Sequence, residues 1–207
     1  MKCNLIWITP NCEQTISDIA RVSNPKNQGL PPGKLLNYCV RNQHWSPFEM
    51  ANAVVEINTT RDIARQILRH RSFSFQEFSQ RYAEVGELAD APLRDARLQD
   101  EKNRQNSIAT DDEYLKHWWQ GAQAAVDDFS KHIYAKALNK GIAKEVARAV
   151  LPEGLTPSRL YMNGTIRSWI HYVQLRSGNG TQLEHQEIAK AIGEIFKKEI
   201  PFIWESV

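Results

Sequence analysis

The chain has 207 residues, 42% of them hydrophobic and 24% charged, with a formal net charge of +2. That length suffices for one sizeable core and the composition is ordinary for a soluble globular protein, while the charge is too small for a protein that coats nucleic acid. Cys3, Cys12 and Cys39 form no CxxC pair, which argues against a disulfide framework and for a reducing compartment.

Leu5–Thr9 is expected as a strand near the edge of the core. It lies in a start, MKCNLIWITP, without the small-residue cleavage pattern of a signal peptide. No apolar run reaches the length of a membrane span, so the expected location is cytoplasmic, in a bacterium or in a cell infected by a virus. Glu13–Val22 and Lys34–Asn42 have helical spacing and are separated by the breaker-rich loop Asn24–Gly33. Ala51–Ile57 alternates and is rich in valine, which predicts a strand. Thr59 or Thr60 is placed to cap a following helix whose apolar stripe is Ile63, Ala64, Ile67 and Leu68.

Glu87–Ser107 is polar and irregular, and on loop statistics reads as a solvated excursion. Asp111–Asn139 is predicted as a long helix ended by Gly141. Its core face would be Trp118, Trp119, Ala122, Ala125, Phe129 and Ile133, the tryptophans serving as core or subunit contacts. A short helix at Ala143–Val150 stops at Pro152. Leu160–Thr165 is a candidate strand, and Arg167–Arg176 and Leu183–Lys198 are helical. No repeat, low-complexity tract or linker divides the sequence, so residues 1–207 are expected to form one domain.

Several common chemistries lack their residues. Gly29–Lys34 is one residue short of a phosphate-binding loop and no Ser or Thr follows it. Gly178–Gly180 lacks a third glycine and a leading strand. The six histidines never fall at HExxH spacing, so no zinc or other metal site is expected. There is no GxSxG elbow.

Gln66–Tyr82, QILRHRSFSFQEFSQRY, stands apart. Arg69, His70, Arg71, Glu77, Ser79 and Arg81 are interleaved with aromatic residues and hydroxyls. A solvated helix face would carry Lys and Glu. Arginines instead hold planar donor forks matched to phosphate and imide edges, and burying so many directed donors without a ligand is costly. The segment reads as the wall of an anionic ligand site.

With Ser79 following Arg69-His70-Arg71 after seven residues, the segment resembles the signature RHR-x7-S of the flavin-dependent thymidylate synthases. The longer form RHRxxSxNExSxRY is matched at Arg69, His70, Arg71, Ser74, Glu77, Ser79, Arg81 and Tyr82, with Gln76 in place of Asn. Ala20–Ser23 is similar to the family's ARVS segment. His44–Glu49 is similar to its HxTPFEH stretch, with Met50 at the last His. Arg97–Asp100 and Asn103–Ser107 resemble a further segment of many members. Ala147–Pro152 resembles AR-x-VLP, and Arg167, Trp169 and His171 resemble N-x-R-x-W-x-H with Thr165 at the Asn. Gln182 and Glu184 after Arg176 resemble R-x5-Q-x-E. The likeness spans nearly the whole chain.

The resemblance implies an α/β fold, with a mostly antiparallel central sheet flanked by long helices. It implies FAD as cofactor, NADPH and 5,10-methylenetetrahydrofolate as co-substrates, and dUMP converted to dTMP. It also implies a homotetramer whose flavin sites are shared between subunits, with no nucleic-acid or membrane partner. Ser23, Ser46, Arg69, His70, Arg71, Glu77, Thr165 and His171 would contact FAD. Gln66, Arg69, Glu77, Ser79, Gln80, Arg81, Arg148 and Arg176 would line the dUMP site. Arg176 would polarise the uracil imide, and His44 would serve at the redox centre. Two alternatives stay open: a flavin- and folate-dependent enzyme acting on another pyrimidine nucleotide or leaving a hydroxymethyl product, and a nucleic-acid-binding module using Arg61–Arg71 and Arg94–Arg104. Arg176 could also pair with Glu184 as a structural bridge.

Overall fold

The computed structural model describes Met1–Val207. Its first half runs β1 (Lys2–Ile8), α1 (Cys12–Ala20), α2 (Gly33–Arg41), β2 (Asn52–Thr60), α3 (Arg61–Ile67) and β3 (Ser74–Glu77). A small hairpin, β4 (Arg97–Gln99) and β5 (Ser107–Ala109), leads to α4 (Glu113–Asn139), α5 (Lys144–Ala147), β6 (Pro157–Thr165), α6 (Ile166–Arg176), α7 (Leu183–Glu199) and α8 (Pro201–Trp204). The main sheet has the order β1-β2-β6-β3, every pair antiparallel.

Strand alternation explains the two faces of that sheet. Ala53, Val55 and Ile57 of β2 lie opposite Gly164, Met162 and Leu160 of β6, and all six are buried. Side chains of one parity share one face, and α3, α6 and α7 cover it with Ile63, Ile67, Trp169, Ile170, Ile188, Ile192 and Phe196. The intervening Glu56, Asn58, Arg159, Tyr161 and Asn163 form the polar face. The expected strands at Leu5–Thr9, Ala51–Ile57 and Leu160–Thr165 are present, the last two longer than their apolar cores because Thr59, Thr60 and Ser158 complete the ladder.

Three expectations change. Thr60 does precede α3, but its hydroxyl donates to Asp62 Oδ1 at 2.6 Å and caps no backbone N–H. Glu87–Ser107 is not a free excursion. Arg94 donates to both oxygens of Asp62 at 2.7 and 2.8 Å, Arg97 to Glu184 at 2.5 Å, and the Gln123 amide exchanges hydrogen bonds with the Arg94 backbone. The face foreseen as core on α4 points outward: Trp118 is 56% and Phe129 68% exposed, while Gln123, Ser130 and Tyr134 are buried. The helical period was real, but the sheet's apolar face is already covered by α3, α6 and α7.

Candidate functional site

The centre of the site forms where α3 meets α6 and α7. α3 buries Ile63, Ala64 and Ile67, which leaves Gln66 and the turn after it facing the start of α7. Arg176, in the last turn of α6, donates its Nε–H to His70 Nε2 at 2.9 Å. This joins the arginine-rich segment to a residue about a hundred positions downstream. His70 is packed edge-on against Tyr172 and Phe73. Burial, and then the Arg176 charge, push its pKa down to about 4, so His70 is neutral and accepts the Arg176 proton donor. The bridge between Arg176 and Glu184 is not made; Arg97 occupies that carboxylate.

Gln66 Nε2 donates to Gln182 Oε1 at 2.7 Å, and His185 Nδ1 lies 3.4 Å from Gln66 Oε1. His185 is fully buried and was not foreseen. Its signal was present in the sequence: it stands three and four residues before Ile188 and Ala189, so it is a titratable group on the apolar stripe of α7.

The remaining residues fall into two further groups. Near the Thr165 end of β6, Thr165 accepts from the Ser168 N–H as the cap of α6, His171 packs edge-on against Trp45 at 4.7 Å, and Arg167 pairs with Glu49. Ser46 opens the turn that carries Glu49, and His44 packs against Tyr38. Ser23 is exposed and makes no side-chain hydrogen bond. Near the Pro157 end, Glu77 accepts from Ser158 Oγ at 2.7 Å, and Phe78 bonds the Arg159 carbonyl. Ser79, Gln80 and Arg81 follow, and Arg81 reaches Glu145 at 3.2 Å, on the helix that leads to Arg148. The nine residues of β6 separate these groups by roughly 26 Å at strand rise. One chain therefore brings together Gln66, His70 and Arg176, and does not bring Arg81 and Arg148 to His44, Ser46 and His171.

The donor set suits anionic ligands. Arg61, Arg65, Arg94, Arg97, Arg159 and Arg167 have carboxylate partners inside the chain. Arg69, Arg71, Arg148 and Arg176 have none, a state they share with Arg41 and Arg104. Gln80 is buried with its Nε2 unpartnered, a donor that costs about 1–3 kcal/mol if nothing accepts from it. Cations without internal counterions and an orphaned buried donor fit a flavin and a nucleotide phosphate. A polar cavity of about 380 Å³ adjoins Gln182, between the β4–β5 hairpin and the Asn179–Thr181 loop. Another, of about 400 Å³, opens beside Lys2, Glu56 and Arg159 and holds none of the expected site residues.

Comparison with known proteins agrees with this geometry. Residues 4–202 match the family model described as thymidylate synthase complementing protein. A probable flavin-dependent thymidylate synthase of Paramecium bursaria Chlorella virus 1 is 54% identical over 193 residues, covering 92% of this chain and 88% of that protein. The flavin-dependent thymidylate synthase of a Synechocystis species is 52% identical over 191 residues, covering 92% and 87%. Among solved structures, a UMP/dUMP methylase, PolB, from Streptomyces cacaoi bound with 5-Br dUMP superposes with a TM-score of 0.85 at 26% identity, over 99% of this chain and 93% of that one. The chain belongs to the thymidylate synthase complementing protein family.

Proposed function

We propose that this protein is an FAD-dependent thymidylate synthase that methylates dUMP reductively to dTMP, with 5,10-methylenetetrahydrofolate as carbon donor and NADPH as reductant. The observation that carries the reading is the Arg176–His70 contact. It brings the RHR segment and the α6 arginine together without a carboxylate to neutralise either. His70 takes the Nε–H of Arg176 and leaves the terminal nitrogens for the uracil imide. A fixed cation there favours the enolate-like form of the base and raises electron density at C5, so no protein nucleophile is needed. The flavin, when bound, supplies the redox chemistry. Arg69 and Arg71 offer cations to its anionic groups, with Ser23, Ser46, Glu77, Thr165 and His171 as further contacts. His44 is assigned to the same redox centre. Ser79, Gln80, Arg81 and Arg148 hold the nucleotide, Arg81 exchanging Glu145 for the phosphate.

The two distant residue groups support a homotetramer whose sites are shared between subunits, since a second copy can supply the group that one chain places at the far end of β6. The exposed apolar face of α4, bordering a groove of about 410 Å³ lined by Val126, Phe129, Ile133 and Val150, is a surface for such a copy. In this reading residues 1–207 act as one domain, in the cytoplasm. No helix is long and apolar enough to cross a membrane. The nucleic-acid alternative is weakened because Arg61, Arg65, Arg94 and Arg97 are already paired with Glu77, Glu153, Asp62 and Glu184.

The test is an absorbance spectrum followed by product analysis. Purified protein shows flavin bands and, given NADPH and methylenetetrahydrofolate, turns dUMP into a product with the mass of dTMP; UMP and dCMP are assayed alongside. Protein that cannot be loaded with FAD, or a hydroxymethyl product, refutes the assignment.

A further inference from the structure

Behind Gln66 runs an unbroken chain of side chains: Tyr172, His185, Gln66, Gln182, Glu184 and Arg97. The separations are 3.0 Å from Tyr172 OH to His185 Nε2, 3.4 Å from His185 Nδ1 to Gln66 Oε1 and 2.7 Å from Gln66 Nε2 to Gln182 Oε1. Gln182 Nε2 is 2.8 Å from Glu184 Oε2, and Arg97 Nη2 is 2.5 Å from Glu184 Oε1. Hydroxyls, imidazoles and amides can each point either way. A carboxylate cannot, because once ionised it only accepts. Glu184 is buried against Arg97, with Arg94 at 3.9 Å as a second cation. Burial works against its charge, but its own backbone N–H and Arg97 hold the carboxyl below its ordinary value.

The ionised end therefore dictates every link. Gln182 must turn its NH₂ to Glu184, so its oxygen faces Gln66. Gln66 must then turn its NH₂ to Gln182, so its own oxygen faces His185. His185 must carry its proton on Nδ1, and its Nε2 lone pair takes the Tyr172 hydroxyl. Reversing any one link sets two lone pairs or two protons against each other in a buried site, where an unmade hydrogen bond is most costly.

We propose that His185 is a positioning residue, holding the Gln66 amide in one orientation that is set from Glu184 through Gln182 and closed by Tyr172. Gln66 then presents a ligand with one N–H and one lone pair at fixed places, a gain in preorganisation with no contact between His185 and the ligand. This rests on the reading above that Gln66 lines the nucleotide site, but the orientation itself is independent of it.

Two measurements test the proposal on the flavin-loaded protein. In ¹⁵N-histidine NMR at neutral pH, the resonances lost in His185→Asn identify His185, and in the parent protein they show the proton on Nδ1. A proton on Nε2 overturns the proposal whatever the enzyme does. In the second, His185→Leu removes the donor to Gln66, whereas His185→Asn keeps a donor near the Nδ1 position. His185→Leu raises the KM for dUMP about tenfold, the effect of one misplaced hydrogen bond, with kcat and flavin content little changed. His185→Asn stays within about threefold of the parent by the same reasoning. Equal losses in both variants, or an unchanged KM in His185→Leu, would mean that His185 only packs. If His185→Leu fails to fold, Glu184→Gln replaces it: without an obligate acceptor at the end of the chain the His185 tautomers mix and the KM rises, and a single Nδ1–H tautomer with unchanged KM refutes the proposal. A parent protein that makes no dTMP defeats the functional reading while leaving the tautomer result to stand alone.

Discussion

Arg176 gives one of its N–H donors to His70 and keeps its terminal fork free, which separates its charge from its aim. Arg176→Lys keeps a cation but has no planar fork, so one ammonium nitrogen must serve either His70 or the imide edge where Nε and the terminal nitrogens of Arg176 serve both. We expect it to lower kcat/KM for dUMP by about a hundredfold, in the range of a lost transition-state donor, while the flavin spectrum persists; steady-state kinetics with wild-type turnover would refute that role. The paired histidines carry a pH signature. Burial and Arg176 hold His70 near 4, and burial, Arg176 and His70 hold His185 near 4. The unfolded chain takes up both protons around the ordinary histidine value of about 6.5. The native state therefore loses stability as pH falls from about 6.5 toward about 4, and neither group changes stability above that window. Urea midpoints at pH 7.5, 6 and 5 check the sign, and His185→Asn should flatten part of the slope.

At the scale of elements, β3 and the turn before it show how the arginine segment is held. A Cβ at Gly164 on β6 would lie 2.4 Å from the Phe73 ring, which itself packs against Trp169 at 4.8 Å. Gly164→Ala must push Phe73 aside and, with it, the turn bearing Arg69–Arg71. The expected loss is about 2 kcal/mol, typical of overpacking, together with weaker flavin retention, read by chemical denaturation and by gel filtration with absorbance detection. Strands β2 and β6 and helices α1, α2, α6 and α7 were legible in the sequence because each has one apolar face and that face is buried. β3 was not legible, since SFQE has too few residues for a period and pairs only through β6. The hairpin at Arg97 was hidden because ion pairs to Asp62 and Glu184, distant in sequence, hold its segment. Within the site, the arginines showed themselves by density, but His185 reads as a core residue until its neighbours are known.

The whole molecule leaves the apolar side of α4 uncovered, so what reads as core in one chain becomes surface in the fold. If that side joins subunits, Val126→Lys combined with Phe129→Lys should shift sedimentation velocity from a tetramer to smaller species. Flavin binding should fall with it, because the two ends of β6 could no longer face each other across copies. A variant that stays tetrameric and yellow would place the contact elsewhere. The chain from Tyr172 to Arg97 also has an evolutionary consequence. Its members come from the hairpin, α3, α6 and the start of α7, and each fixes the donor or acceptor role of the next. A change at Glu184 that loses the carboxylate releases Gln182, then Gln66, then the His185 proton, so the effects of these positions are not additive. Arg97 and Glu184 should therefore drift together or not at all, with fitness valleys between the permitted pairs.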